Sequence, residues 1–210
     1  MGKRKDNKKE IIKEIQAAAL LYKEKLVGKK FLYVFEGRYI EVIYKTRNFR
    51  HLTGVDTQVP AKRFYTYAIE KKLQVGQIYF SAAHPYELCK RKIKHIKDVA
   101  TLAGSESFML EEIVTTTRTY KFGTTDLNFS ICMNKEIDEE GNEKGDCYVV
   151  ESLRDEDCFS KSKRPYTVTH IFSKANDSSK YTELLFMDKN ASMDDLPEAV
   201  CRMIVNDIAS

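Results

Sequence analysis

The chain has 210 residues, 42% hydrophobic and 31% charged, enough to bury a real core in one domain or two small ones. No apolar run approaches the roughly 20 residues that cross a bilayer, and Met1-Gly2-Lys3-Arg4-Lys5-Asp6 leads into an amphipathic segment, unlike a secretory signal. A soluble cytoplasmic protein with no membrane partner is therefore expected. The formal net charge of +4 conceals a split, because residues 1–97 carry 23 Lys and Arg against 9 Asp and Glu, whereas residues 98–210 carry 12 against 22. A net +14 followed by −10 points to a partner that reads positive charge, nucleic acid first. The alternative is a basic helical layer and an acidic sheet layer that neutralise each other.

Along the chain, a lysine-rich start gives way to Ile11, Ile15, Ala18 or Ala19, Tyr22 and Leu26 at helical spacing, stopped by Gly28. Phe31–Phe35 and Tyr39–Tyr44 are aromatic and β-branched around Glu36-Gly37-Arg38, which predicts a hairpin. A polar knot over residues 45–54 follows, then Pro60 and a helix over residues 61–73. A second helix starts near Pro85, with Cys89, Ile93, Ile96, Ala100 and Ala103 as its apolar stripe and Gly104 as its stop. Lys90, Arg91, Lys94 and Lys97 lie opposite that stripe.

The second half changes character. Ile113-Val114, Leu127–Met133, Cys147–Leu153, Tyr166–Phe172 and Tyr181–Phe186 read as short strands between turn-rich loops. Residues 135–146 read as a long acidic hairpin loop. A last helix starts at Asp194-Asp195, with Pro197 in its first turn, and uses Leu196, Val200, Ile204 and Ile208. Helices followed by an antiparallel meander predict an α+β fold: N-terminal helices on a small antiparallel sheet, with a C-terminal helix. The expected organisation is a basic helix over residues 1–30, a main domain over 31–190 and the last helix over 191–210.

Four constellations could carry chemistry. Arg50-His51-Leu52-Thr53-Gly54 combines an imidazole that moves protons near neutral pH with a guanidinium that grips phosphate; the plainer alternative is a loop histidine bonded to local backbone. Ser152 and Arg154 stand two apart on a strand and so share a face, suited to one phosphate. Otherwise Arg154 simply pairs with Asp155 or Asp157. In Tyr166–Phe172, alternation sets His170 among apolar neighbours and Thr169 on the other face, so His170 reads as a core histidine. The stretch from Thr115 to Asp126, with Arg118 and Lys121, either lines a nucleic-acid groove or is a polar connection.

His84 and His95 show no partner pattern. Cys89, Cys132, Cys147, Cys158 and Cys201 are odd in number and lack C-x-x-C spacing, so reduced and mostly buried thiols are expected. No Walker loop, G-x-G-x-x-G, H-E-x-x-H or paired-carboxylate signature occurs, so neither a metal nor a nucleotide cofactor is expected.

Asn48-Phe49-Arg50-His51-Leu52-Thr53-Gly54-Val55, followed by Phe64-Tyr65, resembles the signature of the phage-type barnase–EndoU–colicin–RelE (PBECR) nucleases, fourth subfamily. Val149–Arg154, Tyr166, Val168–Lys174 and Lys180-Tyr181 are similar to that group's C-terminal part, so the resemblance covers roughly residues 30–190. It implies a helical part on an antiparallel sheet and metal-independent ribonuclease activity, with His51 as the family histidine and Ser152 as the sheet hydroxyl. Glu151 stands where the family commonly has proline, and the acidic stretch 135–146 has the look of an insertion.

The first expectation is thus an endoribonuclease of phage or mobile-element origin in which the 2′-OH of RNA attacks the adjacent phosphate. His51 would act as acid or base, with Arg50 and Arg154 stabilising charge and Ser152 and Thr169 positioning the phosphate. Thr53, Lys62, Arg63, Lys90, Arg91, Lys94, Lys97, Arg118 and Lys121 would bind the nucleic acid. The rival is a non-catalytic inhibitor, acting on a host or phage protein through its basic half or through nucleic-acid mimicry by its acidic half.

Overall fold

The computed structural model describes residues 2–102, 105–206 and 208. Helix α1 (Gly2–Lys25) leads into strands β1 (Lys29–Phe35) and β2 (Arg38–Ile43), then helices α2 (Phe49–Thr53), α3 (Ala61–Ile69) and α4 (Tyr86–Leu102). Six strands come next: β3 (Phe108–Val114), β4 (Thr119–Thr125), β5 (Ser130–Ile137), β6 (Glu143–Arg154), β7 (Arg164–Thr167) and β8 (His170–Ala175). Strand β9 (Glu183–Met187) and helix α5 (Glu198–Met203) complete the order.

The fold is α+β, but the sheet is not small. Nine strands run in the order β7-β3-β4-β5-β6-β2-β1-β8-β9, and the β2–β6 pair is parallel within an otherwise antiparallel sheet. Two local features enlarge it beyond expectation. The threonine-rich connection contains β4, and the run Tyr166–Phe172 breaks at Val168-Thr169 into two strands on opposite wings. Val168 turns to the helix-side core while Phe172 packs on the other face, so the expected alternation through this run fails.

Strand β1 sits near the middle because it can be buried on both faces. Phe31, Tyr33 and Phe35 face the main core beneath α1, α3 and α4, whereas Leu32 and Val34 face a second cluster closed by Val200 of α5. The α1 residues Ile11, Ile15, Ala18, Ala19 and Tyr22 join the main core.

Other boundaries shift. Helix α3 stops at Ile69, short of residue 73, and Lys71 adopts a left-handed φ of 57°. Pro197 caps α5, and Ile204 leaves the helix to bridge Tyr181. The acidic loop is mostly strand, because β5 and β6 extend into it and the Asp138 carboxylate accepts from the Glu140 and Asn142 N–H groups at its tip. The expected Ala103 and Gly104 at the end of α4 lie outside the described residues.

Candidate active site

Helix α2 owes its place to two apolar anchors. Phe49 and Leu52, three residues apart, point the same way and are 0% and 1% exposed. Phe49 packs against Tyr22, Phe64 and Tyr65 with ring centroids 5.2–6.4 Å away. The helix is then closed at its end. Thr53 Oγ1 donates to the Arg50 carbonyl at 2.7 Å, and Gly54, at φ 71°, donates its N–H to the His51 carbonyl. A left-handed residue after a helix is an ordinary place for glycine. Of the five residues Arg50–Gly54, three therefore build the turn, and Arg50 and His51 are turned outward. Thr53 is buried and its hydroxyl is engaged, which removes it from the expected nucleic-acid contacts.

Long-range pairing brings α2 to β6. Strand β2 contacts β6 only at Val42–Tyr148 and Ile43–Val149, and the chain then turns into α2. This leaves the β6 edge open from Val150 onward, where Asn48 Nδ2 donates to the Val150 carbonyl at 2.7 Å. A bulge opposite Cys132 and Met133 makes Glu151 the extra residue, so Val150 and Leu153 both face the main core. Ser152 and Arg154 remain on one face, as expected. Arg154 pairs with neither Asp155 nor Asp157: its Nη2 donates to Thr115 Oγ1 at 3.2 Å, its guanidinium lies 5.9 Å from the Tyr120 ring, and its buried Nε has no partner among the described residues.

The electrostatics join these parts. His51 is exposed, yet its pKa falls below the ordinary value, first through partial burial of the ring and then through the charge of Arg50; Glu151 opposes this and Lys92 adds to it. Arg50 Nη2 lies 3.4 Å from His51 Nε2, and its Nη1 donates to the Val59 carbonyl at 3.2 Å, tying α2 to the approach to α3. Because a guanidinium only donates, the first contact requires an unprotonated Nε2. Glu151 is held by Arg118 at 3.0 Å and by Asn134. His51 is thus an outward-facing imidazole of lowered pKa beside the Arg50 guanidinium. No hydrogen bond among the described residues joins it to Ser152 or Arg154.

Other expected residues lie elsewhere. Thr169 sits at the opposite end of β2's neighbours, where its Oγ1 donates to the Val34 carbonyl, so it cannot position a phosphate beside His51. Lys90 pairs with Glu10, Arg91 with Asp155 and Lys97 with Glu14, so the expected basic face of α4 is largely neutralised. Lys121 pairs with Glu111 and Glu112. Lys62, Arg63 and Lys94 are exposed without an ion pair among the described residues. Lys45 and Arg47 both bind Glu136, and Lys29 binds Glu183, so part of the +14 is cancelled by the acidic half.

Sequence reasoning missed the carboxylates that hold two histidines, Asp56 on His84 at 2.8 Å and Asp155 on His95 at 2.9 Å. Both partners are remote in sequence. It also missed Lys92, whose signal was present: it stands three residues after Cys89 and four before Ile96, at the border of the apolar stripe. His170 is the core histidine expected, 1% exposed and stacked on Phe172. All five cysteines are free, with Cys89, Cys132 and Cys158 buried.

Among the described residues no helix is long and apolar enough to cross a membrane, and no cluster of three or more His, Cys, Asp or Glu could hold a metal. No match was found among curated proteins or among solved structures. The family model of the phage-Barnase-EndoU-ColicinE5/D-RelE like nuclease4 matches residues 14–190, from within α1 to beyond β9, and takes in α2 and β6 together. The chain belongs to this family of phage-type nucleases.

Proposed function

We propose that the protein is a metal-independent endoribonuclease of phage or mobile-element origin that acts in the cytoplasm. The 2′-OH of RNA attacks the neighbouring phosphate, and His51 takes the hydroxyl proton or delivers one to the leaving oxygen. The observation that carries this reading is the outward-facing imidazole of His51 on an anchored turn, its pKa lowered and Arg50 beside it. A base must be unprotonated at working pH, and its lowered pKa meets that need. Negative charge on the phosphorane needs fixed cations nearby. Arg50 and Arg154 supply them, and Ser152 offers a hydroxyl to the phosphate. Lys62 and Arg63, at the start of α3, extend the basic surface toward flanking nucleotides.

The chemistry makes two demands on substrate and conditions. RNA is cleaved with a 2′,3′-cyclic phosphate left on the 5′ fragment, whereas the same sequence as DNA or as 2′-O-methyl RNA is not cut. Activity persists in EDTA. Cleavage of DNA, or loss in EDTA with rescue by one divalent ion, contradicts the reading. RNA binding without any cleavage puts the inhibitor reading in its place.

A further inference from the structure

Lys92 is an anomaly on α4. Lys90, Arg91 and Lys97 on the same helix all pair with carboxylates, yet Lys92, half-buried, joins no ion pair among the described residues. Its stem crosses over Gly54: a Cβ added there would meet Lys92 Cδ at 2.9 Å and lie 3.7 Å from Nζ. The ammonium therefore stands at the end of α2, one turn from His51. The end of β6 reaches α4 at this point, because Asp155, the residue after Arg154, pairs with Arg91 and His95 on either side of Lys92. Burial first and then the Arg154 charge lower the Lys92 pKa. Arg154 is likewise without a carboxylate, and its buried Nε is unpartnered. The nearby acids are engaged elsewhere, Asp155 with Arg91 and His95, and Glu156 with Lys161.

Two cations on neighbouring elements, partly desolvated and without a paired carboxylate, destabilise a fold. An anion between them reverses that cost. We propose that Lys92 and Arg154 form a phosphate subsite, spanning α4 and β6 beside His51, that holds a phosphodiester of the substrate. The Lys92 ammonium and the Arg154 guanidinium both donate to non-bridging oxygens, and Gly54, whose φ of 71° already favours glycine, leaves room for the lysine stem. This deepens the ribonuclease reading and rests on it for the identity of the ligand as RNA.

The test uses inorganic phosphate as probe, with ionic strength held constant by chloride, and follows the thermal melt of the full chain. Wild type should melt higher as phosphate rises, with saturation. Lys92→Met should melt above wild type in chloride alone, because an unpaired buried charge is gone, and should lose the phosphate shift. Lys92→Arg should keep part of that shift, and Arg154→Met should lose it. With RNA, Lys92→Met should cleave at least tenfold more slowly. An undiminished phosphate shift in both Met variants overturns the subsite, as does a Lys92→Met protein that melts lower and still responds to phosphate. If phosphate behaves as expected but wild type cuts no RNA, the subsite stands and the ribonuclease reading falls. If wild type cuts RNA and Lys92→Met cuts it equally well, the subsite falls alone.

Discussion

His51 and His170 are alike in one respect and opposite in another. Burial is the main cause that lowers the pKa of each. His170, however, is closed in, 1% exposed, stacked on Phe172 with its Nδ1 3.1 Å from Thr169 Oγ1 and its Nε2 unpartnered among the described residues. His51 stands outward on a five-residue helix, with Arg50 beside it. A lowered histidine pKa therefore does not by itself mark a catalytic base. What separates the two rings is exposure and the sign of the neighbouring charge. His51 is exposed beside a guanidinium, whereas His170 is closed in with Asp188 and Asp195 acting on it.

The comparison breaks first at the anchor. Phe49→Ala removes a fully buried ring from a cage of aromatics, and should cost about 3–5 kcal/mol, together with nuclease activity, because α2 loses its hold. Urea unfolding measures the first loss. A stable Phe49→Ala protein would mean that α2 is placed by something other than its anchors. His170→Ala comes next, leaving a cavity behind Phe172 and costing about 1–3 kcal/mol, within the usual range of core truncations. Its cleavage rate at a temperature well below the melt should stay near wild type. A specific loss of cleavage there would make the core histidine functional.

Acid should sharpen the contrast. Burial lowers the His170 pKa below the ordinary 6.5, opposed only in part by the Ser192 backbone, Asp195 and Asp188. The unfolded chain then binds the extra proton, and stability is lost as pH falls below about 6.5. A single histidine contributes a slope of at most about 1.4 kcal/mol per pH unit, and His170→Ala should flatten the wild-type profile by up to that amount. An identical profile in both proteins assigns the acid sensitivity elsewhere. Salt gives the smallest effect. Lys62 and Arg63 are exposed and unpaired among the described residues, so changing both to Gln should reduce the slope of log affinity against log salt by about 1.4, at roughly 0.7 per single-strand contact. Lys90 and Lys97 already face Glu10 and Glu14, and neutralising them should change the slope less.

Much of this layout can be read from local pattern. The spacing from Ile11 to Tyr22, the Phe31–Phe35 run and the Cys89–Ile96 stripe each mark a face that the fold buries. What escapes is non-local. Gly123 falls in the stretch that reads as a groove lining or a polar connection, yet it lies inside β4, where a Cβ would meet Ile113 Cδ1 at 2.4 Å and the Ile131 carbonyl at 2.8 Å. The glycine serves close strand approach and not a bend. The parallel β2–β6 contact and the bulge at Glu151 have no short-range signal, and they are what bring β6 to α2. At the candidate site, the sequence does not separate the outward-facing Arg50 and His51 from the buried Thr53, because a hydroxyl that closes a helix looks the same in sequence as one that meets a ligand. The four expected basic residues of α4 shared a face by periodicity alone, and the carboxylates that neutralise three of them come from α1 and from the end of β6.

In the proposed ribonuclease, His51 does chemistry on a turn whose stability comes from other residues. The direct test is His51→Ala, with a thermal melt and an RNA cleavage rate measured on the same preparation in EDTA. Stability should stay within about 0.5 kcal/mol of wild type, as for an exposed side chain, and cleavage should slow by about 10²-fold or more. A variant that unfolds, or one that cuts RNA at the wild-type rate, would contradict that role.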